Sequence, residues 1–349
     1  MVCRCFIQSE IGKPCLLFRL FQFAQLVLPY HLQLFRFLFE KSWHCPSQCG
    51  NIICCGNTEI RRYIDVTYPL ALILGLVQGV AEFLPISSSG HLTLLQYFFG
   101  MEQADTLFNI LLHFATLLAV CVVYFQDILE MIVEFFRMIG DMFRRGGRMG
   151  NPPEARRLIL LLIVGTLPLF AVMLIKDRVE ALGSYPPFVS CALLVTGVIL
   201  FSSDRMGGGR KNGRNITLGD ALLVGVAQGF ATIPGLSRSG TTISAGMALG
   251  FDRRFAVRFS FLLSLPAVLG ATLLEVLDAA QAGQGISQEL LPKYLLGMAA
   301  AGVVGYFSIR LLDLLAARGK FGAFCYYCWA AGLISLAAYF AGFSFVPAV

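Results

Sequence analysis

The segment GLVQGVAEFLPISSSGH, residues 75–91, decides the fold, because it places a carboxylate, a proline and three consecutive serines inside a long apolar run. The run extends from 68 to 99, enough to enter a bilayer whose ~30 Å core is crossed by about 20 helical residues. Pro85, followed by Ser87, Ser88 and Ser89, interrupts it in the middle. A proline removes a backbone donor and clashes with the preceding turn, so one helix does not continue through it. Backbone freed at membrane depth is tolerated only where protein or a wet cavity surrounds it. The stretch therefore predicts a helix, a turn and a second helix re-entering from the same side.

A second copy lies 150 residues on. GVAQGFATIPGLSRSG at 225–240 matches residues 75–90 at 7 of 16 gap-free positions, among them Gln78/Gln228, Ser87/Ser237 and Ser89/Ser239. Glutamine and serine are not generic membrane residues, so shared composition does not account for the match. The broken run around this copy covers 217–250. Between and after the two broken runs, six apolar stretches read as full spans, near 107–126, 158–175, 187–203, 259–277, 293–312 and 322–341. One re-entrant hairpin plus three spans per copy, 68–203 and 217–341, inverts the second copy relative to the first. The expected fold class is an all-α polytopic membrane protein with six transmembrane helices and two re-entrant hairpins in an inverted repeat.

Composition agrees with this. The chain has 349 residues, 57% hydrophobic and only 14% charged, against about 25% charged in soluble domains. With a mean hydropathy of +0.72, disorder and nucleic-acid binding are excluded, since both need high charge and little apolar content. The bilayer is the expected surrounding. Lys and Arg number 16 in segments 127–157, 202–216, 251–258 and 310–320, and two in 100–106, 176–186, 278–292 and 341–349. The rich set is expected in the cytoplasm. On that assignment the first hairpin enters from outside and the second from the cytoplasm, and their tips meet near the midplane.

Residues 1–65 have a different character. They hold seven of the 11 cysteines, and Arg19, Pro29, His31 and Arg36 interrupt their apolar stretch. The cluster His44, Cys45, Cys49, Cys54 and Cys55 fits no zinc pattern of two separated pairs. The segment is expected to be a dispensable extension, with the membrane domain covering 66–349.

The chemistry sits at the two breaks. Gln78 and Glu82 are four apart and share a helix face. A carboxylate inside a membrane costs a few kcal/mol, so Glu82 is expected to face a polar cavity and a partner. Ser87, Ser88 and Ser89 can cap the second helix, and His91, three residues after Ser88, is at a spacing that brings an imidazole toward a serine hydroxyl. In the second break Arg238 replaces Ser88. It either pairs with Glu82 and holds the tips together or receives a phosphate, which a guanidinium grips with two prongs. Hydroxyls and N–H groups at a helix start complete an anion cradle. A phosphate-bearing lipid is the implied ligand. His113, inside the next span, reads as a core histidine and is left out of the site.

QGVAE at 78–82, PISSSGH at 85–91 and PGLSRSGTT at 234–242 resemble the two signature motifs of the undecaprenyl pyrophosphate phosphatases, also called bacitracin resistance proteins, and the resemblance covers about 66–349. It implies hydrolysis of undecaprenyl pyrophosphate to the monophosphate, recycling the carrier lipid of peptidoglycan synthesis and conferring bacitracin resistance. It also implies a divalent cation, Mg or Ca, at Glu82 and Gln78. By motif position Ser88 is the nucleophile, His91 its acid/base partner and Arg238 the catalytic cation. Ser87, Ser89, Ser237, Ser239 and Thr242 are the phosphate binders. Gln78 occupies a place where the family takes Glu or Gln. The implied location is the bacterial plasma (inner) membrane, multi-pass, with the site open to the outer (periplasmic) side; a homo-oligomer is compatible with this. Two other readings stay open at this point. Glu82 or His91 can activate water directly, and a transporter or flippase of a polyprenyl phosphate lipid needs the same cradle without a nucleophile.

Overall fold

The computed structural model of the chain describes residues 66–99, 106–143, 153–206, 209–281 and 288–343. The expectations for residues 1–65 lie outside the described residues. Twelve α-helices follow in order: α1 Tyr68–Ala81, α2 Ser88–Phe98, α3 Thr106–Val123, α4 Phe125–Phe143, α5 Glu154–Met173, α6 Lys176–Gly183, α7 Pro186–Arg205, α8 Leu218–Phe230, α9 Arg238–Ala248, α10 Arg253–Gln281, α11 Leu291–Ala317 and α12 Phe324–Phe340. Among the described residues the one β-type pairing is an isolated bridge between Lys211 and Phe251. The protein is an all-α polytopic membrane protein.

Both broken runs are helix pairs, α1/α2 and α8/α9, and each opens on a threonine cap. Thr67 accepts from Leu70 N, and Thr217 forms a reciprocal capping box with Asp220. Each first helix then packs on the other half of the chain, α1 against α11 and α8 against α5. The packing depends on paired glycines. A Cβ at Gly75 would collide with the backbone of Gly297, and one at Gly225 with that of Gly165. Small residues let membrane helices approach backbone to backbone, where dispersion supplies the attraction that water does not.

Among the described residues five helices, α5, α7, α10, α11 and α12, are long and apolar enough to cross a bilayer, with mean hydropathy of 1.5 to 1.9. Their outward faces carry large apolar side chains, including Leu160, Ile163, Leu167 and Phe170 on α5 and Leu295, Val303, Phe307 and Leu311 on α11. In water these faces would be an aggregation surface; against lipid they meet a solvent of their own kind. The span expected near 107–126 is occupied by α3, Thr106–Val123. Leu107–Val123 bends by 84° into Phe125–Asp141, so a sixth span exists only if that bent pair counts as one.

The helix after the bend, α4, occupies part of what the sequence reading took as a charged loop. It is amphipathic, exposing Phe125, Leu129, Ile132, Val133 and Phe136 while Asp127, Glu134 and Asp141 pair with arginines. Arg258 holds Asp127 at 2.7 Å and Glu154 at 3.3 Å. Lys211 N donates to Gly250 O at 3.0 Å, and Tyr124 OH to Asp313 at 3.3 Å. These contacts gather the four Lys/Arg-rich segments, 127–157, 202–216, 251–258 and 310–320, at one end of the molecule.

Candidate active site

The two hairpin tips touch. Ser87 Oγ donates to Leu236 O at 3.4 Å, Ser239 Oγ to Leu84 O at 3.5 Å, and Arg238 Nη2 pairs with Glu82 Oε1. Helix α7 fixes the second tip: Thr196 Oγ1 donates to Gly235 O at 3.2 Å and accepts from Ser237 N at 3.1 Å. Gly235 has φ of +94°, and a Cβ there would strike Ala192, so only glycine lets this turn lie on α7.

Glu82, 7% exposed, is the centre of the cluster. Its Oε2 accepts from Ser88 Oγ at 2.6 Å and from Gln78 Nε2 at 3.0 Å, and His113 Nε2 lies 3.6 Å from it. Its Oε1 takes Arg238. The first helix delivers Gln78 and Glu82 one turn apart, α2 presents Ser88 as its first residue, α9 presents Arg238 as its first, and α3 brings His113. Gln78 Oε1 and Arg238 Nη1 are buried without a hydrogen-bond partner among the described residues. The ion pair between the tips, one of the two readings open for Arg238, is present. The second guanidinium prong stays available for an anion.

The expected pairing of Ser88 with His91 is corrected. His91 Nδ1 lies 2.8 Å from Ser87 O, and Nε2 lies 2.8 Å from Tyr327 OH on α12, with the two rings stacked at 14°. A carbonyl can only accept, so Nδ1 carries a proton, and in the neutral ring Nε2 accepts from the tyrosine. The serine hydroxyl is taken by Glu82. The local cause is Ser87, whose φ of +71° makes it the one non-glycine residue with positive φ among the described residues. That conformation costs about 1–3 kcal/mol, and its repeat counterpart Ser237 has an ordinary φ of −75°.

The other serines divide. Ser87 and Ser237 are helix caps, accepting from Gly90 N at 3.2 Å and Gly240 N at 3.1 Å. Ser239 is buried beside Ser237 at 3.3 Å, whereas Ser89 is exposed and within 3.4 Å of Ser87 Oγ. Thr242 points away from the tips, bonded to Arg238 O at 2.8 Å and Ser260 Oγ at 2.5 Å. In the structure Ser87, Ser237 and Ser239 join and cap the hairpins. Sequence reasoning missed His113 and Tyr327. Asn109, His113 and Thr116 form a polar stripe at helical spacing through an apolar span, and that stripe was a usable signal; Tyr327 carried none.

A divalent cation would find the Glu82 carboxylate, the orphaned Gln78 Oε1, the Ser88 hydroxyl and His113 Nε2. No group of three or more His, Cys, Asp or Glu able to hold a metal exists among the described residues. The donor set therefore fits an ion that keeps water and substrate oxygens as its other ligands, as Mg²⁺ does, and not a closed protein cage.

A site of one carboxylate, one guanidinium and one hydroxyl at the meeting of two broken membrane helices defines an intramembrane phosphate-handling protein. Residues 71–334 match the profile of the family described as bacitracin resistance protein BacA. The chain is 40% identical over 274 residues to an undecaprenyl-diphosphatase of Treponema denticola, covering 78% of this chain and 98% of that protein. It is 39% identical over 273 residues to one of Methanosphaera stadtmanae (76% and 96%) and over 272 residues to one of Desulforapulum autotrophicum (77% and 97%). The chain belongs to the bacitracin resistance protein BacA family.

Proposed function

We propose that the chain is an undecaprenyl-diphosphatase, hydrolysing undecaprenyl pyrophosphate to undecaprenyl phosphate and inorganic phosphate. The reading is supported above all by the Ser88 hydroxyl lying 2.6 Å from Glu82 Oε2, beside an arginine whose Nη1 has no partner among the described residues. A transporter needs the cation but has no use for a hydroxyl set on a carboxylate. Family membership and the relatives named undecaprenyl-diphosphatase point the same way.

In this mechanism Arg238 Nη1 and the N–H groups at the starts of α2 and α9 hold the terminal phosphate. Glu82 takes the Ser88 proton as Oγ attacks the terminal phosphorus; the new O–P bond forms as the bond to the bridging oxygen breaks, and lipid monophosphate leaves. The lipid monophosphate leaves as an anion; His91, once Tyr327 yields its Nε2, takes a proton from the water that attacks the Ser88 phosphoester, and Glu82 returns its proton to Ser88 Oγ as inorganic phosphate departs. A divalent cation, Mg or Ca, held by Glu82 and Gln78 would supply charge neutralisation for the pyrophosphate oxygens. The Lys/Arg-rich end is cytoplasmic by the charge rule, the membrane is the bacterial plasma membrane, and the site opens to the outer side. There the reaction recycles carrier lipid for peptidoglycan synthesis and confers bacitracin resistance.

Purified protein in detergent, with no second compartment, tests this. Release of inorganic phosphate from undecaprenyl pyrophosphate is expected; binding without release would overturn the phosphatase reading in favour of transport.

A further inference from the structure

We infer that His113 is a ligand of the divalent cation and that this ion enters together with the pyrophosphate; the inference rests on the phosphatase reading above. Three observations carry it. First, His113 Nδ1 lies 2.9 Å from Asn109 O, a pure acceptor, so in the neutral ring the proton sits on Nδ1 and Nε2 presents a lone pair. Metal-ligating histidines characteristically anchor their other nitrogen on a backbone carbonyl or carboxylate in this way.

Second, that lone pair faces Glu82 Oε2 at 3.6 Å, beyond hydrogen-bond reach and inside the span of two donors on one ion, since bonds of ~2.1 Å allow up to ~4.2 Å between them. Third, Gln78 Oε1 is wholly buried with no hydrogen-bond partner among the described residues. An acceptor of that kind is costly to leave unmade and is a good oxygen ligand for a hard cation. Gln78 and His113, from α1 and α3, both reach Glu82, whose Oε2 also accepts from Ser88 Oγ.

Charge then dictates the order of binding. Among the described residues Glu82 is the one carboxylate paired with this cluster, and Arg238 already neutralises it. Gln78 adds no charge. A divalent ion alone would leave two uncompensated positive charges at a buried site, which is costly at membrane depth. Pyrophosphate brings the missing negative charge. An imidazole also moves metal preference away from Ca²⁺, which favours oxygen, toward ions that accept nitrogen.

The test uses the full chain in detergent with Mn²⁺ as probe and methylenediphosphonate as a non-hydrolysable pyrophosphate. Pulsed electron spin resonance is expected to detect nitrogen coupling to Mn²⁺ in the wild type, lost in His113→Gln and kept in His91→Gln. Mn²⁺ binding should tighten at least ~10-fold when the diphosphonate is present. Bound Mn²⁺ without nitrogen coupling in the wild type, or coupling that survives His113→Gln, overturns the ligand assignment. Equal Mn²⁺ affinity with and without the diphosphonate overturns the joint entry. Phosphate release, measured separately on the wild type, distinguishes failure here from failure of the phosphatase reading: an active enzyme with no nitrogen coupling loses only the role of His113.

Discussion

Ser88 and Glu82 stand six residues apart in the chain and 2.6 Å apart in space, because the break between α1 and α2 turns the start of the second helix back onto the end of the first. The turn passes through Ser87 at φ +71°, a conformation held at a cost by the surrounding tip contacts. A hydroxyl and a carboxylate are thereby set together before substrate arrives, which is the arrangement of an activated nucleophile.

Removing either member of that pair is expected to stop turnover while lipid pyrophosphate still binds. Ser88→Ala should lose nearly all phosphate release, and Glu82→Gln about 10²–10⁴-fold, the usual worth of a positioned general base. Turnover and substrate binding measured side by side decide it. A Ser88→Ala protein with near-normal turnover would leave water activated at Glu82 as the mechanism.

Arg238 grips Glu82 with one nitrogen and leaves Nη1 unpartnered. Arg238→Lys keeps the charge but cannot serve both partners, so kcat should fall by about 10²–10³. A lysine variant within threefold of wild type in kcat would show that charge alone is needed.

His91 acts in this scheme toward the attacking water and not toward Ser88. His91→Ala should cost about 10²–10⁴ in kcat, whereas Tyr327→Phe, which removes only the hydroxyl on Nε2, should cost less than about tenfold. Equal losses in the two variants would point to the stacked pair as a structural unit.

The glycine contacts between the halves predict a stability pattern. Gly75→Ala and Gly225→Ala would each press a methyl group into facing backbone that cannot yield, for about 1–3 kcal/mol apiece. Gly229→Ala meets only a Val172 methyl at 3.3 Å and should cost under about 1 kcal/mol. Thermal unfolding in detergent ranks them; a harmless Gly75→Ala would refute the close packing of α1 on α11.

Topology is open to labelling. In a background without native cysteines, Arg214→Cys and Ser184→Cys, both at exposed positions, should react with an impermeant maleimide from opposite sides of the membrane, Arg214→Cys from the cytoplasm. Reaction of both from one side would contradict the alternation of spans.

The sequence by itself determined the membrane class, the two broken helices and the two charges that their tips carry, Glu82 and Arg238. Those features are written in local terms: hydropathy over a span, a proline that stops a helix, a charge too costly to bury without purpose. It also carried the 150-residue repeat, because matched glutamines, serines and glycines are visible without coordinates. What only the tertiary structure decided is which partner each polar group takes. Spacing along α2 permitted Ser88 to meet His91, but the strained turn at Ser87 hands the serine to Glu82, and α12 supplies Tyr327 to the histidine. The 84° bend that turns a charged loop into the amphipathic α4 was equally hidden, since Arg258 and Arg156, which pair with its acids, come from other helices. His113 read as an ordinary core residue for the same physical reason: α3 reaches Glu82 only after the halves pack, and a hydrogen-bond partner from a distant segment leaves no mark on local periodicity.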